Sequence, residues 1–290
     1  LACLGLQCQV HRVVCDLHSK SLTDANQTMI SRDEIQKAAD ALFDAHTGQT
    51  YCAPVRDLIG LDPQAGYEVQ AINTARWVSA GRRIVGRKIG LTSAAVQNQL
   101  GVDQPDFGVL YADMEYCDGD EIPLSATQQP KAEAEIAVIL GRDINAQDTT
   151  PSELIRAIDH VVPAIEIVGS RIKDWDIRIS DTIADNASSG LYVLGGPVRA
   201  LHGLDLVNAG MVMKCNGRPV SYGAGIACLG NPLNAALWLA RKCAELGAPL
   251  KAGDVVLTGA LGPMASMGPG DLFEADIEGI GSVRLAIAAK

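Results

Sequence analysis

Glu133 and Glu135 stand two residues apart in the stretch KAEAEIAVILG, residues 131–141, which alternates as a β-strand does. Ala132, Ala134, Ile136, Val138 and Leu140 fall on one face, and Glu133, Glu135, Ala137 and Ile139 on the other. Two acids at that spacing share a face, with Cα atoms roughly 7 Å apart. At the edge of an apolar core, two unpaired like charges are costly. A divalent cation between them removes the cost, since hard cations take carboxylate oxygens. The same spacing is common on solvated strand faces, so the two acids alone leave both readings open.

Three other positions bear on the choice. Glu166 is the lone acid inside the apolar run VVPAIEIV, residues 161–168, and needs a partner there. The cation that would satisfy Glu133 and Glu135 is the best one available. Three carboxylates with open positions suit Mg²⁺ or Mn²⁺ rather than zinc. Lys88 lies in the short strand RIVGRKIGLT, residues 83–92. There it is either an edge lysine reaching solvent or a buried one that pairs with an acid or lowers its pKa, and so can carry protons. Asp106, between Pro105 and Phe107 in the loop-like GVDQPDFGVLYADM, reads as an acid on a stiff turn. Turn chemistry alone accounts for it, or it is a general base beside the metal strand. Residues 180–190, SDTIADNASSG, read as a polar loop that is either solvated or lines a pocket with Asp185, Asn186, Ser188 and Ser189.

The elements that must position these residues alternate between helical and strand periods. Ser31 and Glu34 form a capping box, and Ile35, Ala38, Ala39 and Leu42 continue a helix over 32–46. A connector over 50–62 leads to a second helix over 63–80, with Val69, Ile72 and Ala75 on its face and Gly81 as its stop. These two helices form an N-terminal cap over 29–82, and the main body spans 83–290. Residues 94–100 read as a short helix. Thr150, Pro151 and Glu153 open another that runs to about His160. Strands are expected at 191–194 and 206–215, followed by the hairpin signal Asn216-Gly217. Asn231-Pro232 opens a helix closed by Gly247, with Leu233, Ala236, Leu237, Ala240 and Ala244 buried. Strands at 254–259, 271–278 and 282–288 complete the chain. The Gly-rich GALGPM lacks both phosphate-binding spacings.

Bulk properties narrow the function classes. The 290 residues are 48% hydrophobic but only 4% aromatic, which gives a large, mainly aliphatic core. A net charge of −10 without a basic cluster argues against nucleic acid and against an anionic membrane surface. The sequence contains no run of about 18 apolar residues, the length a bilayer-spanning helix needs. The eight cysteines form no C-x-x-C pair and read as reduced thiols of a cytoplasmic protein. Residues 1–28 show neither period and read as an upstream extension outside the core.

Taken together, KIGLTS at 88–93, GVDQPDFG at 101–108, EAE at 133–135, AIEIVGSRI at 164–172 and DNASSG at 185–190 resemble the 2-keto-4-pentenoate hydratases. NPLNAALWLARK at 231–242 and GDVVLTGALGPM at 253–264 extend the resemblance over about residues 30–288. These enzymes belong to the hydratase and decarboxylase branch of the fumarylacetoacetate hydrolase superfamily. The resemblance implies an α+β fold with a mixed β-roll core, flanking helices and a catalytic body at 83–290. It implies metal ligands at Glu133, Glu135 and Glu166, an active-site lysine at Lys88, an active-site aspartate at Asp106 and a polar-loop serine at Ser188. The implied reaction hydrates 2-hydroxypenta-2,4-dienoate to 4-hydroxy-2-oxopentanoate in meta-cleavage breakdown of aromatic compounds. The resemblance also implies a homo-oligomer, a decamer of stacked pentamers, and a complex with the next enzyme of the pathway.

The nearest rivals are a 2-oxohept-4-ene-1,7-dioate hydratase and a 4-oxalocrotonate decarboxylase. Both take a second substrate carboxylate, for which Arg171 or Arg83 would be the counter-ion. A non-catalytic metal-binding subunit is the remote alternative, and the full set of site residues argues against it.

Overall fold

In the computed structural model, which describes residues 30–93, 97 and 102–289, the alternating stretch is a ten-residue strand that runs through the middle of a mixed sheet. The expectations for residues 1–28 and for most of 94–100 lie outside the described residues. From Arg32 onward the chain folds as one compact unit.

The described helices are α1 (Arg32–Thr47), α2 (Arg56–Ile59), α3 (Pro63–Ser79), α4 (Pro151–Ala157), α5 (Ile179–Ala184) and α6 (Pro232–Glu245). The strands are β1 (Ile84–Gly90), β2 (Asp106–Tyr111), β3 (Glu115–Cys117), β4 (Glu121–Ile122), β5 (Lys131–Leu140), β6 (Ile158–Val168) and β7 (Leu191–Leu194). They continue with β8 (Gly210–Cys215), β9 (Arg218–Ala224), β10 (Val255–Ala260), β11 (Ala265–Ser266), β12 (Leu272–Ile277) and β13 (Gly281–Ile287). One sheet runs β2-β1-β10-β5-β6-β7-β3, with β11 paired to β5. The second runs β4-β13-β12-β8-β9. β12 and β13 lie against β6, so the two sheets share one core. This is the α+β roll with flanking helices that the sequence implies.

That core is aliphatic. Ile136, Val138 and Leu140 of β5 join Val161 and Ile165 of β6 and Phe273 and Leu285 of the second sheet, all shielded from solvent. Each fully buried side chain of this size contributes about 1.5–3 kcal/mol. α6 lies on β10, and α3 covers α5.

Local signals hold at most element ends. Thr150 caps α4 in a reciprocal box with Glu153, Asn231 caps α6 through the Leu233 amide, and Asp62 caps α3 through the Gln64 amide. Asn216 and Gly217 both take positive φ and turn β8 into β9.

Elsewhere tertiary pairing overrides local pattern. α4 stops at Ala157 instead of near His160, because Ile158 to His160 pair with the end of β5. Residues 206–209 stay outside β8. On α3 the buried residues are Ala65, Gly66, Val69, Gln70 and Asn73, and Ala75 is exposed. The face is small and polar because Gly66 must pack directly on the Ser180 carbonyl and on Ile183 of α5. The buried face of α6 is likewise rotated towards Ala235, Leu239 and Cys243, leaving Leu233 and Leu237 at its margin. The connector before α3 contains the short α2.

Candidate active site

Strand pairing brings the acids together. Glu133 on β5 stands directly opposite Glu166 on β6, and Glu135 points the same way two residues along. One carboxylate oxygen from each of the three can lie within 4.8 Å of the others. Glu135 and Glu166 are completely buried, and Glu133 is partly exposed. β10 lies on the other side of β5, where the Gly259 amide donates to Glu135 Oε2 at 2.8 Å. Gly259 holds a φ of +103°, and a Cβ there would collide with Thr92.

β1 is the next strand out and carries Lys88, which is 3% exposed. Its Nζ lies 3.2 Å from Glu166 Oε1 and donates to the Ala187 carbonyl at 2.9 Å. The edge-lysine reading therefore gives way to the buried, paired one. Burial disfavours the charge on Lys88, but Glu166, Glu133, Asp106 and Glu135 together outweigh it and raise its pKa.

Asp106 is equally buried, but its setting differs from the expected turn. It is the first residue of β2, opposite Gly90 at the end of β1. A Cβ on Gly90 would meet Asp106 Oδ1 at 2.2 Å, so only glycine admits the acid at this point. Thr182 on α5 donates to Asp106 Oδ2 at 3.0 Å. Having given that proton, the Thr182 hydroxyl can only accept from Ser188, whose Oγ lies 3.4 Å away. Burial raises the Asp106 pKa, with Lys88 opposing.

The supposed polar loop over 180–190 is α5 followed by a tight turn. Ser180, Asp181, Thr182, Asp185, Ser188 and Ser189 in it are all buried. Ser188 thus joins Asp106 and Lys88 at the acids. Arg171 does not act as a spare cation, since each nitrogen of its guanidinium already donates, Nε and Nη2 to Asp185 and Nη1 to the Ser189 carbonyl, and its charge pairs with Asp185. Arg83 is exposed, and five residues of extended chain place it roughly 16 Å from Lys88.

Sequence reasoning missed three participants. Thr182 sits in a stretch without period, while the Gly259 amide and the Ala187 carbonyl are main-chain groups that leave no side-chain signal.

The acids have capacity to spare. Glu135 Oε1, Glu166 Oε2 and Asp106 Oδ1 are buried without a hydrogen-bond partner, and Glu166 Oε1 has only the Lys88 ammonium beside it. Burial raises the pKa of Glu135 and of Glu166, the latter to about 7; Glu166 and Glu133 add to the rise at Glu135 and Glu133 to that at Glu166, while Lys88 opposes both. An all-oxygen donor set with unused lone pairs fits a hard divalent cation, which would hold the acids ionised.

The fumarylacetoacetate (FAA) hydrolase C-terminal family model matches residues 85–288. The chain is 59% identical over 255 residues to the TodF product hydratase of Pseudomonas putida (strain F1), covering 88% of this chain and 95% of that protein. It is 55% identical over 250 residues to the 2-keto-4-pentenoate hydratase of Paraburkholderia xenovorans, covering 86% and 93%. Among solved structures, 4-oxalocrotonate decarboxylase from Pseudomonas putida G7, complexed with magnesium and adipate, superposes with a TM-score of 0.84. That pair is 33% identical over 89% of this chain and 98% of the other. With its mixed roll, its three converging glutamates and these relatives, the chain belongs to the fumarylacetoacetate hydrolase family, among the members named 2-keto-4-pentenoate hydratases.

Proposed function

We propose that the protein adds water to 2-hydroxypenta-2,4-dienoate, giving 4-hydroxy-2-oxopentanoate, with Mg²⁺ or Mn²⁺ held by Glu133, Glu135 and Glu166. The observation that carries the reading is the convergence of buried Lys88, Asp106, Glu135 and Glu166 with the partly exposed Glu133, in a chain more than half identical to named hydratases. When bound, the cation supplies positive charge beside the substrate's carboxylate and C2 oxygen.

The chain's own residues handle the protons. The dienol first loses its C2 hydroxyl proton and gains one at C5, which yields a 2-oxo-3-enoate. Water then adds its oxygen at C4 and a proton goes to C3. Each transfer needs an acid or base fixed within hydrogen-bond reach. Lys88 holds a proton at Nζ. Asp106 offers an unpartnered Oδ1 while Thr182 fixes its other oxygen. Ser188 orients water or the substrate carboxylate, and the burial of Lys88, Asp106, Glu135, Glu166 and Ser188 limits the access of bulk water.

The rival reading, a dicarboxylate substrate, finds support in the adipate complex of the decarboxylase relative. Against it, Arg171 is engaged internally and Arg83 is remote, so neither serves a second carboxylate. A panel of monocarboxylate and dicarboxylate dienols, followed by ultraviolet loss with and without metal, tests the assignment. Faster turnover of a dicarboxylate would overturn it. We place the enzyme in the cytoplasm as a homo-oligomer acting in meta-cleavage catabolism. The five described cysteines are all free, and no described helix is long and apolar enough to cross a membrane.

A further inference from the structure

Asn186, Ala187 and Ser188 hold φ values of 55°, 51° and 55°, so three successive non-glycine residues lie in the left-handed region. L-residues enter this region at a cost in energy, and asparagine bears it better than alanine or serine. A turn of this kind persists only where its surroundings over-determine it.

Two side chains do so. Asn186 pairs with β2 as an extra strand residue would: its Nδ2 donates to the Val109 carbonyl at 2.9 Å, and its Oδ1 accepts from the Val109 amide at 2.7 Å. Arg171 grips the turn from both ends, with Nη2 donating to the Asp185 carbonyl at 2.6 Å and Nη1 to the Ser189 carbonyl at 3.0 Å. Its Nε and its own amide bind the two Asp185 carboxylate oxygens. That ion pair is 6% and 3% exposed. Only a planar fork spans these acceptors together, and a lysine ammonium cannot. The packing is tight, because a Cβ on Gly108 would lie 2.1 Å from the Asn186 carbonyl.

The turn's product is a single aimed acceptor. The Ala187 carbonyl receives the Lys88 proton bond, and the next residue is Ser188. We propose that Arg171 and Asn186 are positioning residues. They hold a left-handed turn whose Ala187 carbonyl, together with Glu166, fixes the direction of Lys88 Nζ. This rests on the reading that Lys88 carries protons in the hydration.

A double-mutant cycle tests it. Lys88→Met sets the reference, and its residual kcat is measured alone, with Arg171→Lys and with Asn186→Ala. With Lys88 in place, each positioning substitution is expected to lower kcat about 10- to 100-fold while KM and the calorimetric Mg²⁺ affinity stay within about threefold. In the Lys88→Met background, the same substitutions should cost less than about threefold, because the group they aim is gone. Equal losses in both backgrounds would overturn the proposal, as would wild-type kcat in both positioning variants. Should Arg171→Lys fail to fold, Asn186→Ala, which alters a partly exposed side chain of the same turn, decides the question by the same cycle. If Lys88→Met alone keeps wild-type kcat, the proton-carrier reading fails first, separately from the positioning of the turn.

Discussion

Lys88 stands among four acids with one ion pair and one carbonyl bond, so its loss removes a charge as well as a proton site. Lys88→Met and Asp106→Asn should each lower kcat by on the order of 10²–10⁴ while Mg²⁺ still binds by calorimetry. Glu133→Gln and Glu135→Gln should instead weaken Mg²⁺ affinity, and excess metal should partly restore turnover. Variants of Lys88 that lose metal together with activity would show the roles to be wrongly divided. A second titrating residue acts on stability. Burial, with Arg171 and Arg82, lowers the His46 pKa to about 4, Asp113 opposing. Below about pH 6.5 the unfolded chain takes up a proton that the folded chain refuses until about pH 4. Stability conferred by neutral His46 is therefore complete above about pH 6.5 and falls as pH drops through this window. The loss between about pH 7 and about pH 5 should reach up to about 2 kcal/mol in urea unfolding. His46→Gln should flatten that dependence, and an unchanged slope would assign it to other groups.

At the scale of elements, β1 is held against β10 by an approach that only glycine permits. A Cβ at Gly86 would lie 2.0 Å from the Val255 carbonyl. Gly86→Ala should cost at least about 2 kcal/mol in thermal or urea unfolding and reduce activity with it, since the same strand carries Lys88. A variant as stable as the parent would mean that the pairing gives way freely. The strand alternation around Glu133 and Glu135 is legible because period and burial agree there. The caps at Thr150 and Asn231 are legible because their hydrogen bonds are local. Asp106 is not, because glycine, proline and aspartate dominate its flanks. Only pairing with β1 turns the segment into a strand. Nor is the interior position of α5 legible. Its polar residues are buried by α3, which lies about a hundred residues earlier, and no window of sequence contains both. The left-handed turn after α5 contains no glycine to announce it.

For the molecule as a whole, a site with unused buried carboxylate oxygens couples metal to folding. A cation that binds only the native state stabilises it by mass action, by about 2.7 kcal/mol at a hundredfold excess over Kd. Saturating Mg²⁺ should thus raise Tm, a chelator should lower it and abolish activity, and Glu135→Gln should remove most of the rise. A metal-independent Tm would contradict the ligand set. Light scattering at micromolar concentration should report a homo-oligomer, and a monomer would reject that part of the proposed function.

The strand order β1-β10-β5 has a consequence for synthesis. A growing chain delivers Lys88 first and the three glutamates after it, but β10, the strand that belongs between them, is made later than all four. Gly86 pairs with Val255, and along the opposite edge of the same strand Ala260 pairs with Glu135. Until that segment leaves the ribosome, the lysine strand and the acid strand have no shared neighbour, and closing so long a loop is slow. The catalytic group is therefore completed only once β10 has emerged. A nascent or prematurely terminated chain ending before Val255 carries every charged residue of the site but lacks the strand that joins the β1–β2 pair to the β5–β6 pair.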